Sequence, residues 1–217
     1  MKRVSVGSWL AAICAVLVLA AGAGCPGFTD TDTGGATGVG GTFFPFSCTP
    51  TPMQSVPINP VVQTGANWCW AASLEMITTA ESAPRDQCAV AKSILNKPGC
   101  CDANGTPLAG CDVVRLLSRQ DVTSVGLQMV ASSPRVNSPL SFDEIREYIG
   151  CRRSPIAVSW VAGSKGHMEV ASAYDTTSRS VYLTDPNAWE TGWWSYAQYQ
   201  KPSWATAHWN DYFGFSR

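Results

Sequence analysis

Nine cysteines in 217 residues constrain this chain more than any other feature. Cys14 and Cys25 fall near the start, and Cys69 stands apart from the rest in an unusual local setting. The remaining six, Cys48, Cys88, Cys100, Cys101, Cys111 and Cys151, form an even set inside the last 170 residues. An even set of this kind is the mark of a disulfide framework made in an oxidising compartment. Six cysteines allow 15 connectivities that sequence does not resolve, although the adjacent Cys100 and Cys101 are expected to take different partners. A zinc site is the competing use, but no CxxC pair and no nearby histidine supports it. Residues 48–217 have the size of one domain and carry no obvious internal repeat.

The first residues, "MKRVSVGSWLAAICAVLVLAAGAGC", have the basic start, apolar middle and small-residue end of an export signal, read as residues 1–24. Its apolar run from Trp9 to Ala23 falls short of the ~20 residues a spanning helix needs, so cleavage is expected. Ala21-x-Ala23 suits an ordinary signal peptidase, whereas "GAGC" ending at Cys25 has the form of a bacterial lipoprotein box with Gly22 where leucine is usual. Lipidation of Cys25 is the expectation, because an unmodified Cys25 would leave one thiol without a partner. "PGFTDTDTGGATGVGG" follows with almost nothing to bury, making residues 25–47 a flexible, lipid-anchored tether. A formal net charge of −1, with no basic stripe, gives no electrostatic case for nucleic acid. Membrane contact is expected only through the lipid on Cys25, and the chain is expected to be monomeric.

Within the domain, "TPTPMQSVPINPVVQ" holds four prolines in 15 residues and reads as an extended lead-in. A helix is expected from Cys69 to Ala80, with Trp70, Leu74 and Ile77 on one stripe and Asn67 as a cap. Further helices are expected over about 86–95, about 112–119, and in "SFDEIREYIG", where Ser141 and Glu144 have capping-box spacing and Gly150 reads as a stop. The second half changes to short β-rich runs: "SPIAVSWV", "HMEVASAY", "SVYLTD" and "GWWSYAQY". Helices first and strands later imply an α+β domain, a helical part packed on an antiparallel sheet with a site in the cleft between them.

"QTGANWCWAAS" puts Cys69 between two tryptophans in the first turn of the first expected helix. There, unsatisfied amide hydrogens and the positive end of the helix dipole favour the thiolate, the nucleophilic form of cysteine. Such a nucleophile needs an acid and base, and the chain has two histidines, His167 and His208. His167 opens a strand after the glycine-containing loop "VAGSKG", at the edge of a cleft, and is the preferred partner. His208, in "ATAHWND", reads as a hydrogen-bonded surface or core histidine. The strand beginning at His167 turns at "AYDTTSRS" and its partner ends at Asp185, so an antiparallel hairpin brings His167 and Asp185 together. Asp185 would orient the imidazole, with Asn187 the alternative. Gln63, six residues before Cys69, carries an amide that can stabilise an oxyanion alongside the Cys69 N–H.

The order of these residues, together with "CWAAS", "GHMEVASAYD" and "LTDP", resembles the papain-like cysteine peptidases. It is most similar to their small bacterial branch, which includes plant-pathogen effector proteases and relatives of bacteriocin-processing peptidase domains. The resemblance spans about Val56 to Phe215. It implies a compact papain-like fold, a Gln63, Cys69, His167, Asp185 site, a peptide or protein substrate, and neither metal nor organic cofactor. Cys69 and His167 are 98 positions apart, against ~130 in the larger enzymes, so the loops forming the substrate cleft are expected to be reduced. The expected activity is hydrolysis of peptide bonds. Thioester acyl transfer by a transpeptidase or amidase, and a non-catalytic surface-binding protein on the same fold, are the alternatives. Tryptophans 189, 193, 194, 204 and 209 read as core or rim residues, with Trp189 expected to shield the His167–Asp185 bond.

Overall fold

In the computed structural model, which describes residues 48–126, 139–187 and 190–212, the proline-rich lead-in is extended chain, as expected. The leader, Cys25, the tether and Trp189 lie outside those residues. The lead-in contributes β1 (Met53–Ser55), and the helices α1 (Cys69–Ala80), α2 (Gln87–Leu95), α3 (Arg119–Ser124) and α4 (Phe142–Ile145) follow. A π-helical stretch, Arg146–Cys151, continues α4. Then come β2 (Ile156–Ala162), β3 (Lys165–Asp175), β4 (Ser180–Thr184), β5 (Gly192–Ser195), α5 (Tyr196–Gln200) and β6 (Ala207–Tyr212).

The sheet runs β5-β4-β3-β2-β6, every pairing antiparallel. β1 joins the same edge of β3 that β2 leaves, pairing Ser55 with Ala173 beyond the Ile156–Ala171 pair. Alternation along β2 sends Ala157 toward α1 and α2, while Ile156, Val158 and Trp160 pack with Ile145, Ile149, Trp194 and Tyr199 on the other face. Both faces of the sheet are thus covered, which is why "IAVSWV" is apolar almost throughout. The α+β class and the hairpin of β3 and β4 stand as expected.

Several local expectations are corrected. Residues 112–118 are not helical; α3 begins at Arg119, where Ser118 and Asp121 form a reciprocal capping box. The earlier stretch is held open because its backbone carbonyls and the Asp112 carboxylate serve the start of α1. Asn67 does not cap α1: the N-cap is Trp68, without a side-chain bond, and Asn67 instead turns to Asp112. Gly150 is not a stop, since the helical turn runs on to Cys151; a side chain there would meet the Tyr174 hydroxyl at 2.6 Å. "GWWSYAQY" divides into β5 and α5, because Ser195 and Gln198 make a capping box that ends the strand. The strand β6 was not anticipated.

The six framework cysteines pair as Cys48–Cys151, Cys88–Cys101 and Cys100–Cys111. The adjacent cysteines do take different partners, and the zinc reading falls. Three bridges are those of a chain that folds in an oxidising, extracytoplasmic compartment. Among the described residues, no helix is long and apolar enough to cross a membrane.

Candidate active site

The start of α1 is fixed from outside the helix. Trp68 and Trp70, both fully buried, donate their indole N–H groups to the carbonyls of Cys111 (2.8 Å) and Val113 (3.0 Å). The Asn67 backbone N–H reaches Asp112 Oδ1 at 2.8 Å and its side chain reaches the Asp112 carbonyl at 3.2 Å. Gly65 passes so close to this segment that a Cβ would lie 2.7 Å from Pro107 and 2.9 Å from Asp112. Residues 111–113 therefore clamp the helix start, and the Cys100–Cys111 bridge holds the clamp. Between the two anchored tryptophans sits Cys69, buried, and the only cysteine among the described residues outside a disulfide. As the first helical residue, its N–H lies outside the helix's own hydrogen-bond ladder.

The helix is tied to the sheet where the second group arises: Ser73 Oγ donates to the Met168 carbonyl at 3.2 Å. The neighbouring residue, His167, has its Nε2 2.9 Å from Asp185 Oδ1. The Val170–Thr184 pair of β3 and β4 sets this approach, leaving Asp185 as the first residue beyond β4. Asp185 is oriented in turn by the Asn187 N–H on the same oxygen (2.8 Å), and its own N–H reaches Thr191 Oγ1 (2.9 Å). Asp185 rather than Asn187 thus meets the imidazole. With Nε2 committed to Asp185, Nδ1 is the nitrogen left for Cys69.

Burial by itself would lower the pKa of His167. The hydrogen bond with Asp185, the interaction with the Cys69 side chain and the field of Glu169 overcome this and raise it to about 10. Asp185 is held below the usual carboxylate range: its burial pushes upward, but the bond from His167 and the Asn187 N–H outweigh it. The ring edge of Trp204 stands against His167, centroids 5.9 Å apart. Trp204 is the indole found beside the pair among the described residues, and Trp189 lies outside them.

Gln63 is joined to this region through its backbone, whose N–H donates to the Pro186 carbonyl at 3.0 Å. Its amide nitrogen donates to the carbonyls of Gly65 (2.7 Å) and Ala66 (2.9 Å). Both amide hydrogens therefore close the turn before α1 instead of standing free. His208 lies elsewhere, buried, with Nε2 2.8 Å from Asp211 Oδ1.

One residue at the site was missed from sequence. Glu169 is 1% exposed, with Oε1 3.5 Å from His167 Nε2. Burial, reinforced by the charges of Asp185 and Glu190 and opposed by His167, raises its pKa to about 8. Its signal was available: a glutamate in the apolar run "HMEVASAY", two residues from His167 and so on the same strand face. His167, Glu169 and Asp185 bring ligand-type atoms within 4.8 Å of one another, beside a cavity of about 290 Å³ also lined by Asn187, Glu190 and Trp204.

A nucleophile-type residue at a helix start, facing a histidine on one strand and a carboxylate just beyond the end of the next, is an arrangement suited to acyl transfer through a thioester. The family described as papain-like cysteine protease AvrRpt2 matches residues 51–202, most of the chain, and the chain belongs to that family. It is a cysteine-type peptidase, with protein or peptide substrates. Two solved structures are similar. Xylellain, a cysteine protease from Xylella fastidiosa, shares 10% identity over 78% of this chain and 88% of its own, with a TM-score of 0.45. A C39-like peptidase from Bacillus anthracis shares 13% over 76% of this chain and 99% of its own, with a TM-score of 0.46. No curated protein matches the chain significantly.

Proposed function

We propose that this is an exported peptidase in which Cys69 is the nucleophile, His167 the acid and base, Asp185 the residue that holds His167, and Gln63 part of the oxyanion site. The observation carrying the reading is the His167–Asp185 bond at 2.9 Å beside the one cysteine that the disulfides leave over among the described residues. The Cys69 thiolate attacks the scissile carbonyl carbon while His167, protonated, gives its Nδ1 proton to the leaving amine. Loss of the amine leaves a thioester. His167 then takes a proton from water, whose oxygen attacks the thioester, and the thiolate is released with the acid product. The oxyanion is met by the Cys69 N–H and by Gln63, which exchanges one of its two backbone acceptors for the developing charge. Asp185 keeps Nε2 engaged so that Nδ1 faces the sulfur.

Export rests on the leader and on the three bridges, and a lipid on Cys25 would retain the enzyme at the cell envelope. The test is labelling of the folded protein with a thiol-directed epoxide, followed by peptide mapping. A single adduct on Cys69, lost in His167→Ala, is expected; folded protein that takes no label would overturn the assignment.

A further inference from the structure

The pair formed by His167 and Asp185 has a third member that hydrolysis as derived above does not use. Glu169 shares a strand face with His167 and is buried to within 1% of its surface. It presents Oε1 to the same ring nitrogen that Asp185 binds, and Oε2 has no hydrogen-bond partner among the described residues. A carboxyl so placed is costly, because burial strips it of water and, among the described residues, no donor reaches Oε2. Leucine would fill the position without this penalty. The charged groups around it are His167 on its own strand, Asp185 beyond β4 and Glu190 in the following loop. Lys165 lines the adjoining cavity, and Cys69 meets the other side of the imidazole.

We propose that Glu169 is a positioning residue of the catalytic centre, acting through Nε2 of His167 to set how firmly the ring holds its proton. This rests on the assignment of His167 as acid and base, and it concerns that residue's operating range. Where Glu169 is protonated, near and below neutrality, it adds no charge and His167 is governed by Asp185 and Cys69. Once Glu169 ionises, around pH 8, a second negative charge faces the ring, the imidazolium is stabilised, and its proton becomes harder to release to the leaving amine. Glu169 therefore carries the charged pair, and with it turnover, to higher pH.

Because the chain has two histidines, the titration of His167 can be read directly from imidazole NMR signals, with His167→Ala giving the assignment. Wild type is expected to show a small inflection near pH 8, as Glu169 ionises, ahead of the main transition. Glu169→Gln should lose that inflection and lower the main transition by about one pH unit. Glu169→Asp should restore the inflection. The alkaline limb of kcat/KM should move in parallel. Superimposable His167 titrations for wild type and Glu169→Gln, both folded, would overturn the proposal. The titration does not depend on turnover, so failure of the peptidase assignment would show separately, as absence of Cys69 labelling.

Discussion

The molecule contains two histidine–aspartate pairs of nearly equal length, to which the proposed mechanism gives different ends. His167 Nε2 and Asp185 Oδ1 are 2.9 Å apart; His208 Nε2 and Asp211 Oδ1 are 2.8 Å apart. The first pair borders a cavity, with 19% of the His167 side chain exposed, and its ring meets a thiol. The second is closed: 3% of the His208 side chain and 1% of that of Asp211 remain exposed. Asp211 also accepts from the Leu140 N–H at 2.8 Å and from the Tyr199 hydroxyl, while the His208 ring lies against Trp160 and Tyr199. It joins β6 to α5 and to the start of α4. What separates reactive from structural is thus not the pair but what occupies the other side of the ring.

The largest effect that would break this comparison comes from exchanging the lesions. His167→Ala should reduce kcat/KM by about 10³-fold with the fold retained. His208→Ala should leave the folded enzyme active within a few-fold and cost about 3 kcal/mol of stability in urea titrations, because Asp211 loses a buried partner. If His208→Ala instead removed activity from a fully folded protein, the division of roles would fail.

A smaller effect comes from the pH response of the first pair. His167, raised from 6.5 to about 10 on folding, contributes stability in full below pH 6.5 and loses it as pH climbs through 10. Glu169, raised from 4.5 to about 8, acts in the same sense, since folding favours its protonated form. Unfolding free energy should therefore fall steadily between pH 6.5 and 10. Glu169→Gln should make the decline shallower. The smallest effect is expected from Tyr199→Phe, which removes one donor from Asp211. A loss of about 1 kcal/mol, with unaltered kcat/KM, would place it wholly in the structural pair.

The parts of the fold and site that were legible from sequence are those written in short-range chemistry. The turn between β3 and β4 brings His167 to Asp185, and serine with glutamate three residues later announces α4. Cys69 at a helix start needs only the pattern that follows it. What escaped depends on partners distant in the chain. Residues 112–118 have a helical composition, yet their carbonyls are drawn out by Trp68 and Trp70, some 43 positions earlier. β6 is anchored by Asp211 to Leu140, 71 positions away, and no local pattern announces that bond. Gln63 was recognised by its distance from Cys69, but spacing could not reveal that its amide closes the turn at Gly65 and Ala66. Glu169 could have been found, because a charged residue in an apolar strand must answer to something on the same face.

The bridge from Cys100 to Cys111 places the sulfur proposed as the nucleophile and its supporting sulfurs under opposing redox demands. The loop that grips Trp68 and Trp70 needs its bridge oxidised, whereas a nucleophilic Cys69 works only when reduced. The protein is best served by surroundings oxidising enough to keep its braces closed yet mild enough to spare one enclosed thiol, and packing around that thiol stands in for a reducing milieu.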